Sequence, residues 1–160
     1  MDAIMLFVDG SVNTKSKVGY GASLCVSDLT LPLEVLKQKV ILNCFEDTSS
    51  TKLELQNLLW ALNDIEPSGK RIIVYTDSQN IEGLLRRRER LEKNDYYSKK
   101  NIRIKNHELY KEFYRLTDLF DIEIIKVKGH KSSKQKDDID AIFTIVDRAS
   151  RRALRNEGCI

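Results

Sequence analysis

The sequence has few of the residues that are typical of secreted proteins, of proteins with structural metal sites or of membrane proteins. It contains two prolines, two histidines and three cysteines in 160 residues. Cys25, Cys44 and Cys159 are odd in number, and their spacing matches neither a disulfide framework nor a zinc site, which predicts reduced thiols. No apolar run approaches the roughly 18 residues that a membrane span needs. We therefore expect a soluble, cytoplasmic protein that has no membrane partner.

The remaining composition is that of one globular unit. The chain is 41% hydrophobic and has no internal repeat, low-complexity stretch or Pro/Gly-rich linker. A chain of this length buries a core without metals or disulfides. We predict a single domain over residues 1–160, and the lack of a coiled-coil pattern or an exposed apolar run favours a monomer.

The charges are unevenly distributed, although the formal net charge is only +3. Residues 84–115 contain eleven basic and five acidic side chains, and residues 126–136 contain five lysines and no acid. The rest of the chain is acidic. Such segregation is typical of a protein that contacts a polyanion with one surface and uses carboxylates elsewhere. The alternative for the arginines of residues 86–90 is a solvated helix face.

Hydrophobic periodicity predicts an α/β domain. Short apolar or β-rich runs indicate strands, and apolar residues at helical spacing indicate helices between them. A basic loop or protrusion is expected at about 86–105 and a long loop at about 130–140. A mixed sheet with helices on its faces fits this order. The predicted strands are 3–8, 19–27, 33–43, 72–75 and 122–127, and the predicted helices follow the caps at 48–50 and cover about 79–90, 109–120 and 141–156.

Four acids occupy positions where a solvated surface acid is not expected. Asp9 and Asp77 each end an apolar run, at the sheet edge where α/β proteins bind ligands. Glu54 and Asp147 border the apolar stripes of two predicted helices. Each alone is compatible with a plain turn or a helix-dipole partner. Together they are hard oxygen donors, which Mg²⁺ or Mn²⁺ prefers, and their mutual repulsion calls for a cation.

Several blocks of the sequence, taken together and in order, resemble type 1 ribonuclease H. They are DGS at 9–11 with GYGA at 19–22, LEL at 53–55, YTDSQ at 75–79, VKGH at 127–130 and VDRASR at 146–151. The resemblance implies a ribonuclease H-like fold, with a five-stranded mixed sheet whose first three strands are antiparallel and which helices flank. It also implies an endonuclease that cuts the RNA strand of RNA/DNA hybrids and leaves 5′-phosphate and 3′-hydroxyl ends.

The resemblance further implies a role for individual residues. Asp9, Glu54, Asp77 and Asp147 would be catalytic and hold two Mg²⁺ ions, with Mn²⁺ as a possible substitute. His130 would assist proton movement or product release. Asp140 lies seven residues before Asp147 and is a rival fourth ligand. The residues expected to contact the hybrid are Gly10, Ser11, Asn13, Ser50, Thr51 and Gln79.

A second function is compatible with the same sequence. A module that binds hybrids or double-stranded RNA without cleaving them could share the fold and the basic surface. Such a binder would gain nothing by keeping four acids against a polyanion. The sequence therefore favours the nuclease.

Overall fold

The structure is a computed structural model that describes residues 3–66, 68–128 and 137–156. The described chain alternates strands and helices around one sheet. The strands are β1 (Ala3–Asn13), β2 (Val18–Val26), β3 (Ile41–Phe45), β4 (Arg71–Thr76) and β5 (Asp121–Lys126). The helices are α1 (Leu33–Gln38), α2 (Ser50–Asn63), α3 (Gln79–Glu82), α4 (Leu84–Lys93), α5 (His107–Leu119) and α6 (Asp138–Asn156).

The strands form one mixed sheet in the order β3-β2-β1-β4-β5. β1 pairs antiparallel with β2, and β2 pairs antiparallel with β3. β4 runs parallel to both β1 and β5. This arrangement confirms the predicted five-stranded sheet with three antiparallel strands. Because β1 is central and parallel to β4, the segments that follow Phe7 and its partner Tyr75 meet at one edge.

Alternating side chains of β1 bury two separate cores, one on each face of the sheet. Leu6 and Val8 face the core formed with α2, α4 and α5. Phe7 points to the opposite face, where α1 and α6 pack, and its ring stacks on that of Tyr75 with centroids 4.8 Å apart. A strand that is buried on both faces is fixed in register, which holds the edge beyond it in place.

One predicted strand is partly wrong. Residues 33–43 were expected to form the third strand, but the first six form α1 and β3 begins only at Ile41. The Pro32 carbonyl accepts the amide of Leu36, and the Leu36 side chain is fully buried against the α6 face. Five of the six residues of α1 are good helix formers, and the helix places Leu36 in that core.

The other elements follow the predictions closely. α2 begins after Ser49, whose side chain accepts the amide of Lys52, as the predicted cap requires. The helix expected at about 79–90 is divided by Gly83 into α3 and α4. α6 begins at Asp138, before the predicted start near residue 141, so it includes part of the segment expected to be a long loop. Residues 130–136 of that loop lie outside the described residues.

The arginines of residues 86–90 are not all free to contact a ligand. Arg88 makes two hydrogen bonds to Asp118, of 2.7 and 2.9 Å, and thereby joins α4 to α5. Arg87 donates to the backbone and side-chain oxygens of Asn80, each at 2.8 Å. The alternative of a solvated helix face therefore fails for these two side chains, which instead hold α4 in place.

The segment between α4 and α5 combines a buried and an exposed tyrosine. Tyr96 is 5% exposed and belongs to the core. Tyr97 is 37% exposed, and the guanidinium of Arg103 lies 4.9 Å from its ring centroid. Of the predicted protrusion at 86–105, the part up to Lys93 is helical and the rest is this irregular segment.

The cysteines differ from the expectation of three reduced thiols. Cys25 is free and exposed, whereas Cys44 in β3 is disulfide-bonded, so that prediction is wrong for Cys44. Cys159 lies outside the described residues. Among the described helices, none is both long enough and apolar enough to cross a bilayer.

The Tyr114 hydroxyl gives a test of how α4 is attached. It is buried and donates to the Leu84 carbonyl at 2.7 Å. Tyr114→Phe removes this buried bond between α5 and α4, so we expect the free energy of unfolding to fall by about 1 kcal/mol. Chemical denaturation measures this change. Tyr110→Phe, at a buried tyrosine of the same helix without such a bond, should change stability less, and equal losses would contradict the assignment.

Candidate active site

Three of the four predicted acids line one narrow pocket at the sheet edge. Asp9 lies in β1 just beyond the last residue paired with β4, Asp77 directly follows β4, and Glu54 lies in the second turn of α2. The apolar run stops at Asp9, but the strand itself continues to Asn13 in the hairpin with β2. The pocket is lined by Val8, Asp9, Glu54, Asn57, Thr76, Asp77 and Ile81.

Glu54 is held by a serine that also begins the next helix. The Ser78 hydroxyl donates to Glu54 Oε2 at 2.5 Å and accepts the backbone amide of Ile81 at 3.2 Å. The same side chain therefore caps α3 and orients the Glu54 carboxylate toward Asp77. Ser78 is 5% exposed, so little water competes for this bond.

Asp147 reaches the same edge from α6. Its carboxyl group is near enough to that of Asp9 to raise the pKa of Asp9, and Arg151 Nε lies 3.0 Å from Asp147 Oδ1. Ser150 Oγ donates to the Asp147 carbonyl at 3.0 Å and lies 3.2 Å from Ser11 Oγ on β1. The serine pair thus joins α6 to β1 next to Asp9 and Asp147.

The convergence of these acids raises their proton affinities. Burial, the charge of Asp77 and the hydrogen bond with Asp147 together raise the pKa of Asp9 to about 8. Burial also raises the pKa of Glu54, although the Ser78 hydroxyl opposes that rise. Partial burial and the charge of Asp147 raise the pKa of Asp77, against the lowering effects of Lys126 and Arg151. Without a cation, the site retains protons to limit repulsion between its carboxylates.

The donor set fits a hard divalent cation, but the carboxylates are occupied by protein partners. Within the described ranges, no group of three or more His, Cys, Asp or Glu is already arranged around a possible ion position. Glu54 accepts a hydrogen bond from Ser78, and Asp147 pairs with Arg151. An ion held by these residues would have to draw their oxygens together, and its charge would offset the repulsion between the carboxylates.

Asp140, the rival fourth ligand, has a different environment from Asp147. Its carboxylate accepts the Asp137 amide at 3.3 Å, while its own amide donates to Asp137 Oδ1 at 2.9 Å. This reciprocal pair stands at the beginning of α6, where acids stabilise a helix. The structure therefore brings Asp147, rather than Asp140, to the carboxyl group of Asp9.

Sequence reasoning missed Asn57, which is buried between α2 and the sheet. Its side-chain amide donates to the Ala22 carbonyl at 2.9 Å and to the Asp9 carbonyl at 3.2 Å. Asn57 lies three residues after Glu54, so one amide joins the helix that carries Glu54 to the strand that carries Asp9. Gly21 makes the fit possible, because a Cβ there would overlap the Asn57 side chain. A buried amide within a leucine-rich stripe was the available signal.

The predicted hybrid-contacting residues do not line the pocket, but they lie on the elements that carry its acids or directly after them, in two groups. Gly10 and Ser11 follow Asp9 in β1, and Asn13 ends that strand. Asn13 Oδ1 accepts the amides of Lys15 and Ser16 at 2.9 and 3.2 Å, so it organises the exposed turn into β2.

The second group lies at two helix starts. Ser50 and Thr51 are the exposed first residues of α2, and Gln79 is the exposed first residue of α3, directly after Asp77 and Ser78. The side chains of all three are exposed to solvent, so a ligand could contact them. His130 lies outside the described residues.

Comparison with known proteins identifies a family. The family model for RNase H matches residues 1–149. The chain is 26% identical over 161 residues to a Ribonuclease H of Syntrophomonas wolfei, covering 99% of this chain and 100% of that protein. It is 26% identical over 153 residues to the Ribonuclease H of Neorickettsia sennetsu (95% and 93% covered) and 27% over 148 residues to that of Acetivibrio thermocellus (90% and 94%).

A solved structure gives the same fold. A foamy viral protease-reverse transcriptase in complex with dsDNA superimposes with a TM-score of 0.69 at 14% identity, covering 94% of this chain and 96% of that chain. At this identity the likeness concerns the fold alone. It confirms the fold class that the motif blocks implied.

The raised pKa of Asp9 predicts a stability that depends on pH. A carboxyl whose folded pKa is about 8, against an ordinary value of 3.8, stabilises the folded state fully below the ordinary value and loses that effect as pH rises toward 8. In EDTA, we expect Asp9→Asn to raise the free energy of unfolding at pH 8.5 by at least about 1 kcal/mol, or about 2–4 °C in Tm. At pH 4 the two proteins should differ little. A variant that is equally or less stable at pH 8.5 would contradict this prediction.

The bridging role of Asn57 predicts a loss of both stability and metal response. Asn57→Ala leaves the Asp9 and Ala22 carbonyls without their partner, at a cost of about 2–3 kcal/mol in the free energy of unfolding. We also expect a higher Mg²⁺ concentration to be needed for half of the Mg²⁺-induced rise in Tm. Asn63→Ala, at an exposed amide on the same helix, is the control and should leave both quantities near the wild type.

Proposed function

The chain belongs to the ribonuclease H family, and from that membership we propose that it hydrolyses the RNA strand of RNA/DNA hybrids at the pocket lined by Asp9, Glu54 and Asp77. It is a ribonuclease H hydrolase by family. The observation that supports this pocket is the convergence of its carboxylates, which raises the pKa of Asp9 to about 8. Such crowding of acids is costly in a protein without a cation to bind.

The metal ligands of the proposal are Asp9, Glu54, Asp77 and Asp147. Two divalent ions, Mg²⁺ or alternatively Mn²⁺, would activate the attacking water and neutralise the departing oxygen. The protein's part is to hold four oxygens on different elements in one place. Ser78 and Arg151 orient Glu54 and Asp147, and the sheet register fixes Asp9 against Asp77.

The proposed reaction leaves the phosphate on the 5′ side of one fragment and frees the 3′-hydroxyl of the other. The water oxygen forms a bond to phosphorus, the bond between phosphorus and the 3′ oxygen breaks, and the 3′ oxygen takes a proton. The products are therefore a 5′-phosphate and a 3′-hydroxyl. His130 is proposed to move that proton or to assist product release, because an imidazole exchanges protons near neutral pH.

Recognition of the hybrid is proposed to come from the surface around the pocket. Gly10 and Ser11 would present backbone and hydroxyl groups to the RNA strand, and Gln79 would extend from the start of α3. Asn13, Ser50 and Thr51 would contact the minor groove, where the 2′-hydroxyls distinguish RNA from DNA. The basic residues of 86–105 that are not engaged within the fold would contact phosphates without sequence preference. We also propose that the protein acts as a monomer in the cytoplasm.

A cleavage assay tests the function directly. The protein is incubated with end-labelled RNA/DNA hybrid, RNA duplex or DNA duplex, each with Mg²⁺, Mn²⁺ or EDTA. We expect internal cuts in the RNA strand of the hybrid alone, and none in EDTA. Asp9→Asn removes one shared ligand, so several kcal/mol of transition-state stabilisation should be lost, which reduces the rate at least about 100-fold.

The matched control is Asp28→Asn, since Asp28 is an exposed acid that bonds only within its own turn, to Thr30. It should keep full activity, and circular dichroism should show that both variants are folded. Hybrid binding without cleavage by the wild type in any metal would reject the nuclease and support the non-catalytic binding module.

A further inference from the structure

A second concave surface lies between α1 and α6, on the face of the sheet opposite α2. We name it the α1–α6 groove. Its volume is about 370 Å³, which is within the range of small-ligand and side-chain pockets. The lining residues are Leu33, Lys37, Val40, Ala141, Thr144, Ile145, Arg148, Ala149 and Arg152.

The floor and one wall of this groove are apolar. Ile145 and Ala149 come from α6, and Leu33 and Val40 come from α1 and the turn after it. Leu33 is 45% exposed, and Val35 on the same short helix is 37% exposed. Leu36 alone among the α1 side chains is buried in the core, so the helix is attached by one residue and leaves its other apolar side chains to the surface.

Among the described residues, those that line the groove include three cations and no acid. Lys37 stands on the α1 side, and Arg148 and Arg152 stand one turn apart on the α6 side. Lys37 pairs with Glu34 at 3.1 Å, but both side chains are more than half exposed, so the pair is weak. The ion pairs of the described residues include neither Arg148 nor Arg152.

The groove is distinct from the candidate active site although they share a helix. Positions 141, 145, 148 and 152 repeat at the spacing of one helix face, and this face is turned toward α1. Asp147 and Arg151 lie on a neighbouring face and bond to each other. A ligand in the groove would therefore touch α6 without occupying the carboxylate pocket.

From these features we infer that the α1–α6 groove is a docking site for a short acidic segment of another protein that carries a bulky apolar side chain. The apolar side chain would fill the floor, and flanking carboxylates would pair with Lys37, Arg148 and Arg152. A nucleic-acid backbone matches the cations but offers no group for the apolar floor. A peptide with alternating acidic and apolar residues matches both.

Fluorescence anisotropy with designed peptides tests the site. The probe is a fluorescein-labelled peptide in which aspartates flank one phenylalanine. One comparison peptide replaces the phenylalanine by serine, and the other replaces the aspartates by lysines. We expect the first peptide to bind the full-length protein at low salt and both others to bind at least about tenfold more weakly. Equal binding of the serine peptide would reject the apolar part of the site.

Variants on the two walls separate this groove from the other basic surfaces. Lys37→Glu and Arg152→Glu should each weaken peptide binding at least about tenfold, and Leu33→Asp should abolish it. Arg155→Glu is the matched control, because Arg155 is an exposed arginine of the same helix that does not line the groove. The three wall variants should retain hybrid cleavage.

Two outcomes would overturn the inference. The first is peptide binding that is equally weakened by Arg155→Glu, which would show a general charge effect. The second is a loss of hybrid affinity in Arg152→Glu together with no preference for the phenylalanine peptide, which would assign the groove to nucleic acid. Circular dichroism and Tm of each variant exclude misfolding as the cause.

Discussion

The repulsion between carboxylates gathered at one sheet edge is the constraint around which the molecule is organised. Asp9 lies partly buried in a central strand, and Asp77 follows the strand parallel to it, so the sheet register itself brings two like charges together. Such an arrangement persists only if the elements that carry the acids are held firmly. Ser78 and Asn57 secure α2, and the contacts of Ser150 and Asp147 with β1 secure α6.

Much of this edge could be predicted from the sequence because its signals are local. Asp9 and Asp77 each end an apolar run, and Glu54 borders the apolar stripe of a helix, so three acids were identified and the structure places them in one pocket. Their roles as ligands remain proposals. α1 was missed although five of its six residues are good helix formers, because the short segment was grouped with the strand that follows it, and the core that buries Leu36 is built from distant parts of the chain. Asn57 was missed for a similar reason: its partners lie 35 and 48 residues away.

The distribution of charge indicates a binding surface only when the partner of each charged side chain in the fold is known. The sequence gives four arginines within residues 86–90, yet Arg87 and Arg88 are engaged within the fold with Asn80 and Asp118. In α6, four arginines also lie close together in the sequence at 148, 151, 152 and 155, but only Arg148 and Arg152 line the α1–α6 groove, whereas Arg151 pairs with Asp147. The number of basic residues in a segment therefore does not show how many of them are available to a ligand.

The contact between Gly21 and Asn57 has a consequence for how this chain can change. Any side chain at position 21 would overlap the Asn57 side chain, while a smaller residue at position 57 would leave room for one. A substitution at Gly21 is therefore tolerated only after position 57 has become smaller, which fixes the order of the two steps. Homologous sequences should show the two positions varying together, with a larger residue at the first accompanied by a smaller one at the second. The same dependence would govern any attempt to graft this edge onto a related scaffold, because neither residue can be transferred alone.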